Sequence, residues 1–216
     1  MSSAHEILAS LGLELLLETP AHVRDGATGI ITNPDGHRFV GATREFIGAL
    51  HFVADKERAG VWAAALKSTG ASWGKNIATD LDARLARLGK PESSALPLEA
   101  CLAVIEHSFA VHGWGRLQLD LTDAPEHGIL SARLEQSVFV ESLPEATVPV
   151  DSLLAGVLQG FFEHVSSQTL GCAEIACAVH GAEHCTFVIT APERLDPIRP
   201  FIGRESVEQI LARLRS

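Results

Sequence analysis

The stretch that decides the fold runs Gly171-Cys-Ala-Glu-Ile-Ala-Cys-Ala-Val-His-Gly-Ala-Glu-His-Cys-Thr-Phe187 and holds three of the chain's four cysteines. Gly181 separates two β-rich segments, and a hairpin at this point brings the ends of both segments within side-chain reach. Cys177 and Cys185 can then converge on a single ion, as thiolates do in zinc sites. The stretch therefore predicts an antiparallel hairpin with a metal site. Two reduced thiols and a Cys177–Cys185 disulfide are the alternatives.

The spacing within the first predicted strand sets a geometric condition on such a site. In a regular strand Glu174 and Cys177 point to opposite faces, whereas Cys172 and Glu174 share a face. Glu174 and Cys177 can both act as ligands only if the strand is bulged or ends near Ile175.

Upstream of the hairpin, Asp151 precedes a helical pattern and is expected to cap that helix. Gly156 and Gly160 lie within the pattern and allow another backbone to approach closely. The buried stripe of this helix is predicted to be Leu154, Val157, Leu158, Phe161 and Val165.

Periodicity and turn residues predict the other elements. Gly70 and Gly74 are expected to bend or interrupt the longest helix. The predicted elements are a helix at Ala4–Glu18, a hairpin at Gly29–Val40, helices capped by Thr43 and by Asp55, a helix from Pro97 to Gly113, strands at Trp114–Leu121 and Gly128–Val140, strands at about Leu170–Val179 and His184–Thr190, and a helix at Glu205–Arg215. This order predicts an α+β fold with helices packed on one face of an antiparallel sheet.

The composition excludes several classes of protein. The 216 residues include 17 Lys and Arg against 27 Asp and Glu, which gives a formal net charge of −10. Such a chain lacks the basic surface that binds nucleic acids or anionic membranes. No apolar run approaches the roughly 20 residues that span a bilayer, and the first residues do not form a secretory signal. We expect a cytoplasmic protein with no nucleic-acid partner and no membrane insertion.

Three motifs together resemble the 4-vinyl reductase, or hydrocarbon-binding, domain family. They are Leu154-Ala-Gly-Val-Leu-Gln-Gly160, Glu174-Ile-Ala-Cys177 and Gly181-Ala-Glu-His-Cys185-Thr-Phe187. The resemblance covers roughly residues 42–190. It implies an α+β module, commonly dimeric, that is related to small subunits of the TRAPP tethering complexes. We therefore predict an N-terminal extension at 1–41, this domain at 42–191 and a helical tail at 192–216.

The resemblance also implies a ligand set for a structural zinc ion. In the sensor domains of phenol-responsive activators of this family, an aromatic ligand and a structural zinc are bound. Glu174, Cys177 and Cys185 match the metal-ligating positions, and Asp151 stands where those activators have a cysteine at the start of the helix. A set with more oxygen and less sulfur binds zinc more weakly and less selectively. The alternatives for the fourth ligand are Cys172, His180 and His184.

The aromatic residues suggest where a small molecule would bind. His107 lies on a helix with Phe109, and Trp114 opens the next strand, so these three side chains are the predicted ligand pocket. Core packing or a surface position is the competing interpretation of each. No catalytic motif accompanies them, so we expect no enzymatic activity.

The expected function is a stand-alone sensory module that binds a hydrophobic or aromatic molecule and holds a structural zinc. The alternative is a homodimeric scaffold or assembly subunit that contacts a protein partner through its amphipathic terminal helices. A less favoured alternative, suggested by the family name alone, is a tetrapyrrole vinyl reductase or its accessory factor.

Overall fold

The computed structural model of the protein describes residues 4–17, 23–32 and 36–216. The α-helices are α1 (Ala4–Ser10), α2 (Arg44–Arg87), α3 (Leu98–Val111), α4 (Ala124–His127), α5 (Val138–Ser142), α6 (Ser152–Ser166), α7 (Pro192–Leu195) and α8 (Val207–Arg215). The strands are β1 (Val23–Asp25), β2 (Ile30–Thr32), β3 (Arg38–Phe39), β4 (Arg116–Asp120), β5 (Leu130–Glu135), β6 (Gly171–Ala176) and β7 (Cys185–Thr190). Short 3₁₀ turns lie at Glu14–Leu17, Ser93–Ala95, Ala178–His180 and Asp196–Phe201.

The strands form two antiparallel sheets, and the predicted α+β class is confirmed. The larger sheet has the order β4-β5-β7-β6, so the predicted C-terminal hairpin of β6 and β7 forms half of it. The smaller sheet joins β1, β2 and β3. Its β2–β3 pairing confirms the predicted N-terminal hairpin, although turn residues 33–35 lie outside the described part of the chain.

Both faces of the larger sheet are buried because β7 is apolar on each side. Phe187 and Ile189 point into the main core, which α3 and α6 share. Val188 points the other way, into a smaller core with Leu195 and Leu214. The long helices therefore cover one face, and the C-terminal helices cover the other.

Helices α2 and α6 cross at very short range, and glycine makes this possible. A Cβ atom at Gly70 or Gly74 would lie 2.0 Å from a backbone oxygen of α6. A Cβ atom at Gly156 would lie 2.1 Å from the Lys67 carbonyl oxygen, and one at Gly160 would lie 1.9 Å from that of Ala71. No real side chain fits such gaps, so the glycines of both helices fix this crossing.

Several predicted boundaries are wrong. The helix predicted at Ala4–Glu18 ends at Ser10, because Gly12 takes a positive φ of 63°, and a separate 3₁₀ turn follows at Glu14–Leu17. Helix α2 runs without a break through Asp55 and through Gly70 and Gly74, and its 44 residues make it about 66 Å long. Thr43 does cap it, as predicted, by accepting a hydrogen bond from the Phe46 amide. The predicted strand to Val140 ends instead at Glu135, because Gln136 takes a positive φ of 56° and Ser137 then caps α5.

The apolar faces of both terminal segments pack inside the protein. Leu8 and Leu16 are buried in the main core, where α1 packs against α3. Ile210 and Leu214 of α8 are buried in the smaller core. A partner that binds these terminal helices would therefore meet their polar faces. The division at 1–41, 42–191 and 192–216 stays a prediction.

Charged side chains reach the outer backbone of both edges of the larger sheet. At the β6 edge, Lys67 Nζ donates to the Cys172 carbonyl oxygen at 2.6 Å. At the β4 edge, the Leu119 amide donates to Glu106 Oε1 at 2.9 Å. Across residues 4–17, 23–32 and 36–216, no helix combines the length and the apolar composition of a membrane span.

Candidate functional site

The end of β6 brings three of the predicted ligands together. Oxygen or sulfur atoms of Glu174, Cys177 and Cys185 all lie within 4.8 Å of one another, and all three residues are buried. The register between β6 and β7 shifts between Glu174 and Ala176, and the strand ends at Ala176. A bulge or an early strand end was the requirement for Glu174 and Cys177 to act as ligands together. Both are present here, so the two side chains can point to the same site.

The two sulfur atoms have the spacing of a shared ion. Cys177 and Cys185 are free thiols whose Sγ atoms lie 4.0 Å apart, about twice the length of a disulfide bond. Two thiolates on one tetrahedral zinc lie about 3.8 Å apart when each Zn–S bond is about 2.3 Å. The Ala178 amide also donates to Cys185 Sγ at 3.4 Å, which helps a thiolate to carry its charge.

Asp151 borders this group from the start of α6. It occupies the N-cap position, as predicted, but its side chain makes no capping hydrogen bond. Its amide donates to Glu174 Oε2 at 3.0 Å, its Oδ1 accepts from Ser137 Oγ at 2.5 Å, and its carboxylate interacts with the Cys185 thiol. The carboxylate of Asp151 therefore faces the cluster instead of capping α6.

The four acidic side chains of the site all have shifted pKa values, because of burial for the two carboxyls and mainly because of their mutual hydrogen bond for the two thiols. Burial, with the negative charges of Asp151 and Cys177 beside it, raises the pKa of Glu174 to about 10. Burial raises the pKa of Asp151 to about 6, although the hydrogen bond from Ser137 lowers it. The hydrogen bond from Cys185 lowers the pKa of Cys177 to about 5, and the same bond raises the pKa of Cys185. The site cannot hold all four charges without a cation.

Two carboxylate oxygens of the site have no hydrogen-bond partner among the described residues and are suited to bind a divalent metal. Asp151 Oδ2 and Glu174 Oε1 are buried and have no hydrogen-bond partner. A buried acceptor without a partner costs free energy, which a coordinated cation would recover. Glu174 joins the two sulfurs in one cluster, and Asp151 beside it is the candidate for a fourth donor, which would complete a set of two sulfurs and two oxygens of the kind that zinc accepts.

The other residues considered for the fourth position do not join the group. Within the described residues, the cluster of Glu174, Cys177 and Cys185 contains none of the four candidates for the fourth position, which are Asp151, Cys172, His180 and His184. Cys172 is buried in the main core, and burial raises the pKa of its thiol to about 12. Asp151 is the best placed of the four candidates because its amide donates to Glu174 and its carboxylate interacts with Cys185.

Ser137 also belongs to this site, although no pattern in the sequence indicates it. Ser137 is buried, and its hydroxyl donates to Asp151 while it accepts from the amides of Phe139 and Val140. A serine before a short helix is recognisable as a cap, but its second partner lies 14 residues away.

The three predicted pocket residues lie in or beside the main core. Phe109 and Trp114 are buried and meet edge to face, with ring centroids 5.2 Å apart. His107 is partly buried, and its Nε2 atom is buried with no hydrogen-bond partner. Burial lowers the pKa of His107, and the positive charge of Arg84 lowers it further, so the imidazole is neutral at pH 7.

A groove of about 620 Å³ opens elsewhere, along the crossing of α2 and α6. Lys75, Glu163 and the pair Asp82–His164 line it, and His164 Nε2 lies 2.6 Å from Asp82 Oδ2. None of the predicted pocket residues contributes to this groove. The pocket at His107, Phe109 and Trp114 stays a prediction.

Comparison with known proteins finds a match to one domain family and several solved structures of similar fold. Residues 130–191 match the 4-vinyl reductase domain family, and this range contains all four candidate ligands and Ser137. The curated protein sequences gave no match. The crystal structure of the phenol-responsive sensory domain of the transcription activator PoxR with phenol is similar in fold. It has a TM-score of 0.64 and 18% identity, and the match covers 100% of this chain and 99% of that one.

Two further solved structures are similar. A trafficking protein particle complex subunit 3 from Naegleria fowleri, covalently bound to palmitic acid, has a TM-score of 0.50 and 10% identity over 68% of this chain and 93% of that chain. A vinyl-4-reductase family protein from Methanocaldococcus jannaschii has a TM-score of 0.46 and 16% identity over 70% of this chain and 83% of that chain. The resemblance predicted from the motifs is confirmed as a match to the 4-vinyl reductase domain family, over residues 130–191 and not over the whole predicted range of 42–190.

Proposed function

We propose that this protein is a sensory module that binds a small hydrophobic or aromatic molecule and is held together by a structural zinc. The observation that carries this proposal is the match in fold, over the whole length of both chains, to a sensory domain solved with phenol. The proposal is binding without chemical conversion. The protein would release its ligand unchanged.

His107 supports the ligand part of the proposal. A neutral imidazole with a buried, unpartnered nitrogen can exchange a hydrogen bond with a hydroxyl group that enters the core. Phe109 and Trp114 belong to the aromatic surroundings that would accept an apolar ring. A compound with one hydroxyl on an aromatic ring would satisfy both kinds of group.

Calorimetric titration with phenol tests this part. We expect the wild-type protein to bind phenol, and His107→Ala to bind about tenfold more weakly, because one hydrogen bond of this kind is worth about 1–1.5 kcal/mol. Toluene lacks the hydroxyl and should not distinguish the two proteins. His127→Ala, with its histidine on a different element, is the matched control. Equal phenol affinity in both histidine variants contradicts the role of His107, and no binding of either compound contradicts an aromatic ligand.

The zinc part of the proposal has its own support and its own test. Glu174, Cys177, Cys185 and Asp151 would hold the ion, which would link the β6–β7 hairpin to α6 and stabilise the fold. Native mass spectrometry of protein purified without added metal should find one zinc per chain. The double variant Cys177→Ser, Cys185→Ser should contain none and should unfold at a lower temperature. A metal-free wild-type protein that also takes up no added zinc would rule out this site.

A second candidate function, a homodimeric scaffold, is favoured by an exposed apolar face on α2. Phe46, Leu50, Val53 and Val61 follow each other at spacings of 4, 3 and 8, so they lie on one face of the helix. Their exposed fractions are 61%, 49%, 64% and 61%. Such a face is typical of a surface that pairs with another molecule.

Mass measurement in solution tests the dimer. We expect a dimer for the wild-type protein and a monomer for Leu50→Glu, Val53→Glu, with the temperature of unfolding nearly unchanged. Val148→Glu places one such charge at another exposed valine and should remain dimeric. If the α2 variant stays dimeric, this face is not the interface.

A further inference from the structure

Three hydrogen bonds fix the orientation of the Ser137 hydroxyl group. The amides of Phe139 and Val140 donate to Ser137 Oγ at 3.2 Å and 3.5 Å. A hydroxyl group has two acceptor lone pairs and a single proton. Because both lone pairs are engaged, the proton is directed at Asp151 Oδ1, 2.5 Å away.

The position of Ser137 is itself fixed by a tight turn after β5. Gln136 takes a positive φ of 56°, and the Val138 amide donates to the Trp114 carbonyl oxygen at 3.2 Å. Opposite the turn, a Cβ atom at Gly115 would lie 2.6 Å from the Glu135 carbonyl oxygen, so the two chain segments touch. Ser137 is therefore a rigid donor and not a mobile surface hydroxyl.

A rigid donor on one carboxylate oxygen determines where the other oxygen points. With Oδ1 held by Ser137, Oδ2 of Asp151 has no protein partner and is buried beside the cysteine cluster. Asp151 stands at the helix position where a cap would be expected, yet it does not cap α6. The hydrogen bond from Ser137 is thus the one that fixes Oδ1 and orients this carboxylate toward the cluster.

We propose that Ser137 is a positioning residue that holds Asp151 in the orientation of a metal ligand and thereby sets the metal affinity of this site. The inference rests on the metal site proposed above, and it concerns a residue outside the ligand set. An outer partner of this kind is typically worth about 10–100-fold in metal affinity. It would compensate for the hard, less zinc-selective oxygen that Asp151 supplies in place of a third sulfur.

Cobalt affinity and the cobalt absorption spectrum test the inference on the full chain. Co²⁺ reports its own coordination geometry, and competition with a chelator gives its affinity. We expect Ser137→Ala to bind Co²⁺ about 10–100-fold more weakly than the wild type and to change the spectrum. Ser137→Thr keeps the hydroxyl and should restore most of the affinity. In an Asp151→Ala background, Ser137→Ala should change the affinity by less than about twofold, because the residue through which it acts is gone.

Ser206→Ala is the matched control. Ser206 also caps a short helix, by accepting from the Gln209 amide, but it precedes α8, in a different part of the chain from the cluster. Both alanine variants lose a cap and should unfold at a lower temperature, but Ser206→Ala should keep the wild-type affinity and spectrum for Co²⁺. Equal cobalt affinity and spectra in the wild type and Ser137→Ala would overturn the inference and leave the metal site standing. A wild-type protein that binds no Co²⁺ would overturn both.

Discussion

Glu174 is the residue whose chemistry depends most on a cation. Its buried carboxyl keeps its proton to about pH 10, whereas the same group ionises near pH 4.5 in an unfolded chain. A raised pKa of this sign lowers stability as pH rises from 4.5 toward 10, so the metal-free protein is penalised at pH 7. A bound metal would remove the proton and the penalty together.

We expect the order of stability of Glu174→Gln and the wild type to reverse between the metal-free and the zinc-bound protein. Glutamine carries no proton to gain and keeps an oxygen that can accept from the Asp151 amide. With a chelator at pH 7, we expect the variant to unfold at the same temperature as the wild type or higher; with zinc, we expect it to unfold lower. Glu163→Gln changes a carboxylate on α6 that binds the Leu170 amide, and its effect should not depend on zinc. The same order of the two proteins in both conditions would contradict the assignment of Glu174 as a ligand.

Asp82 provides a prediction with a defined pH dependence. Burial raises its pKa, but hydrogen bonds from Ser93 and His164 outweigh burial and leave the pKa below its ordinary value of 3.8. A lowered pKa gives stability that is present above pH 3.8 and is lost as pH falls through the folded pKa. We expect Asp82→Asn to cost about 1–2 kcal/mol at pH 7, and progressively less below about pH 4, in chemical unfolding. Asp196→Asn, from an exposed pair with Arg199, should cost less than about 0.5 kcal/mol at either pH.

At the scale of the elements, the close crossing of α2 and α6 depends on glycine residues, which have no side chain. Gly156→Ala or Gly160→Ala would place a methyl group about 2 Å from a carbonyl oxygen of α2, which the helices can relieve only by separating. We expect each to cost about 3 kcal/mol in the free energy of unfolding. Gly60 lies on the same long helix with nothing within 4 Å of its would-be Cβ. Gly60→Ala should therefore stabilise the protein by about 0.5–1 kcal/mol. Losses at Gly156 and Gly160 no larger than the effect at Gly60 would contradict the tight crossing.

The same glycines show what could be predicted of the elements. Gly156 and Gly160 were expected to permit close approach, and they do. Gly70 and Gly74 were expected to bend their helix, but they are contact points for α6 within a continuous helix. A glycine that breaks a helix and one that receives a neighbour look alike in sequence, because the difference lies in a partner helix more than 70 residues away.

For the candidate site, local sequence spacing predicts which residues of the hairpin converge, but it does not reveal the contacts between distant parts of the chain. Glu174, Cys177 and Cys185 lie on one hairpin, so their convergence followed from strand geometry and a bulge. The prediction that Asp151 is a ligand rests on the resemblance to a known family. Ser137 joins the site through a turn whose position depends on Trp114 and Gly115, and no local pattern carries that information.

At the scale of the whole molecule, the N-terminal segment is part of the body of the protein. Leu8 is 0% exposed in the main core, whereas Leu15, seven residues later, is 48% exposed. We expect Leu8→Ala to lower the free energy of unfolding by about 2–5 kcal/mol, and Leu15→Ala to change it by less than about 0.5 kcal/mol. Urea unfolding at equilibrium measures both. A small effect of Leu8→Ala would mean that the segment is only loosely attached.

The two charged side chains at the margins of the larger sheet restrict how copies of this protein can associate. Lys67 and Glu106 each occupy a backbone group that an incoming strand would need, and inserting a strand would strip a buried or half-buried charge of its partner. Growth by strand addition, the first step toward amyloid-like fibres, is therefore opposed at both ends. Association of two copies through the edges of the larger sheet is therefore disfavoured relative to association through exposed helix faces.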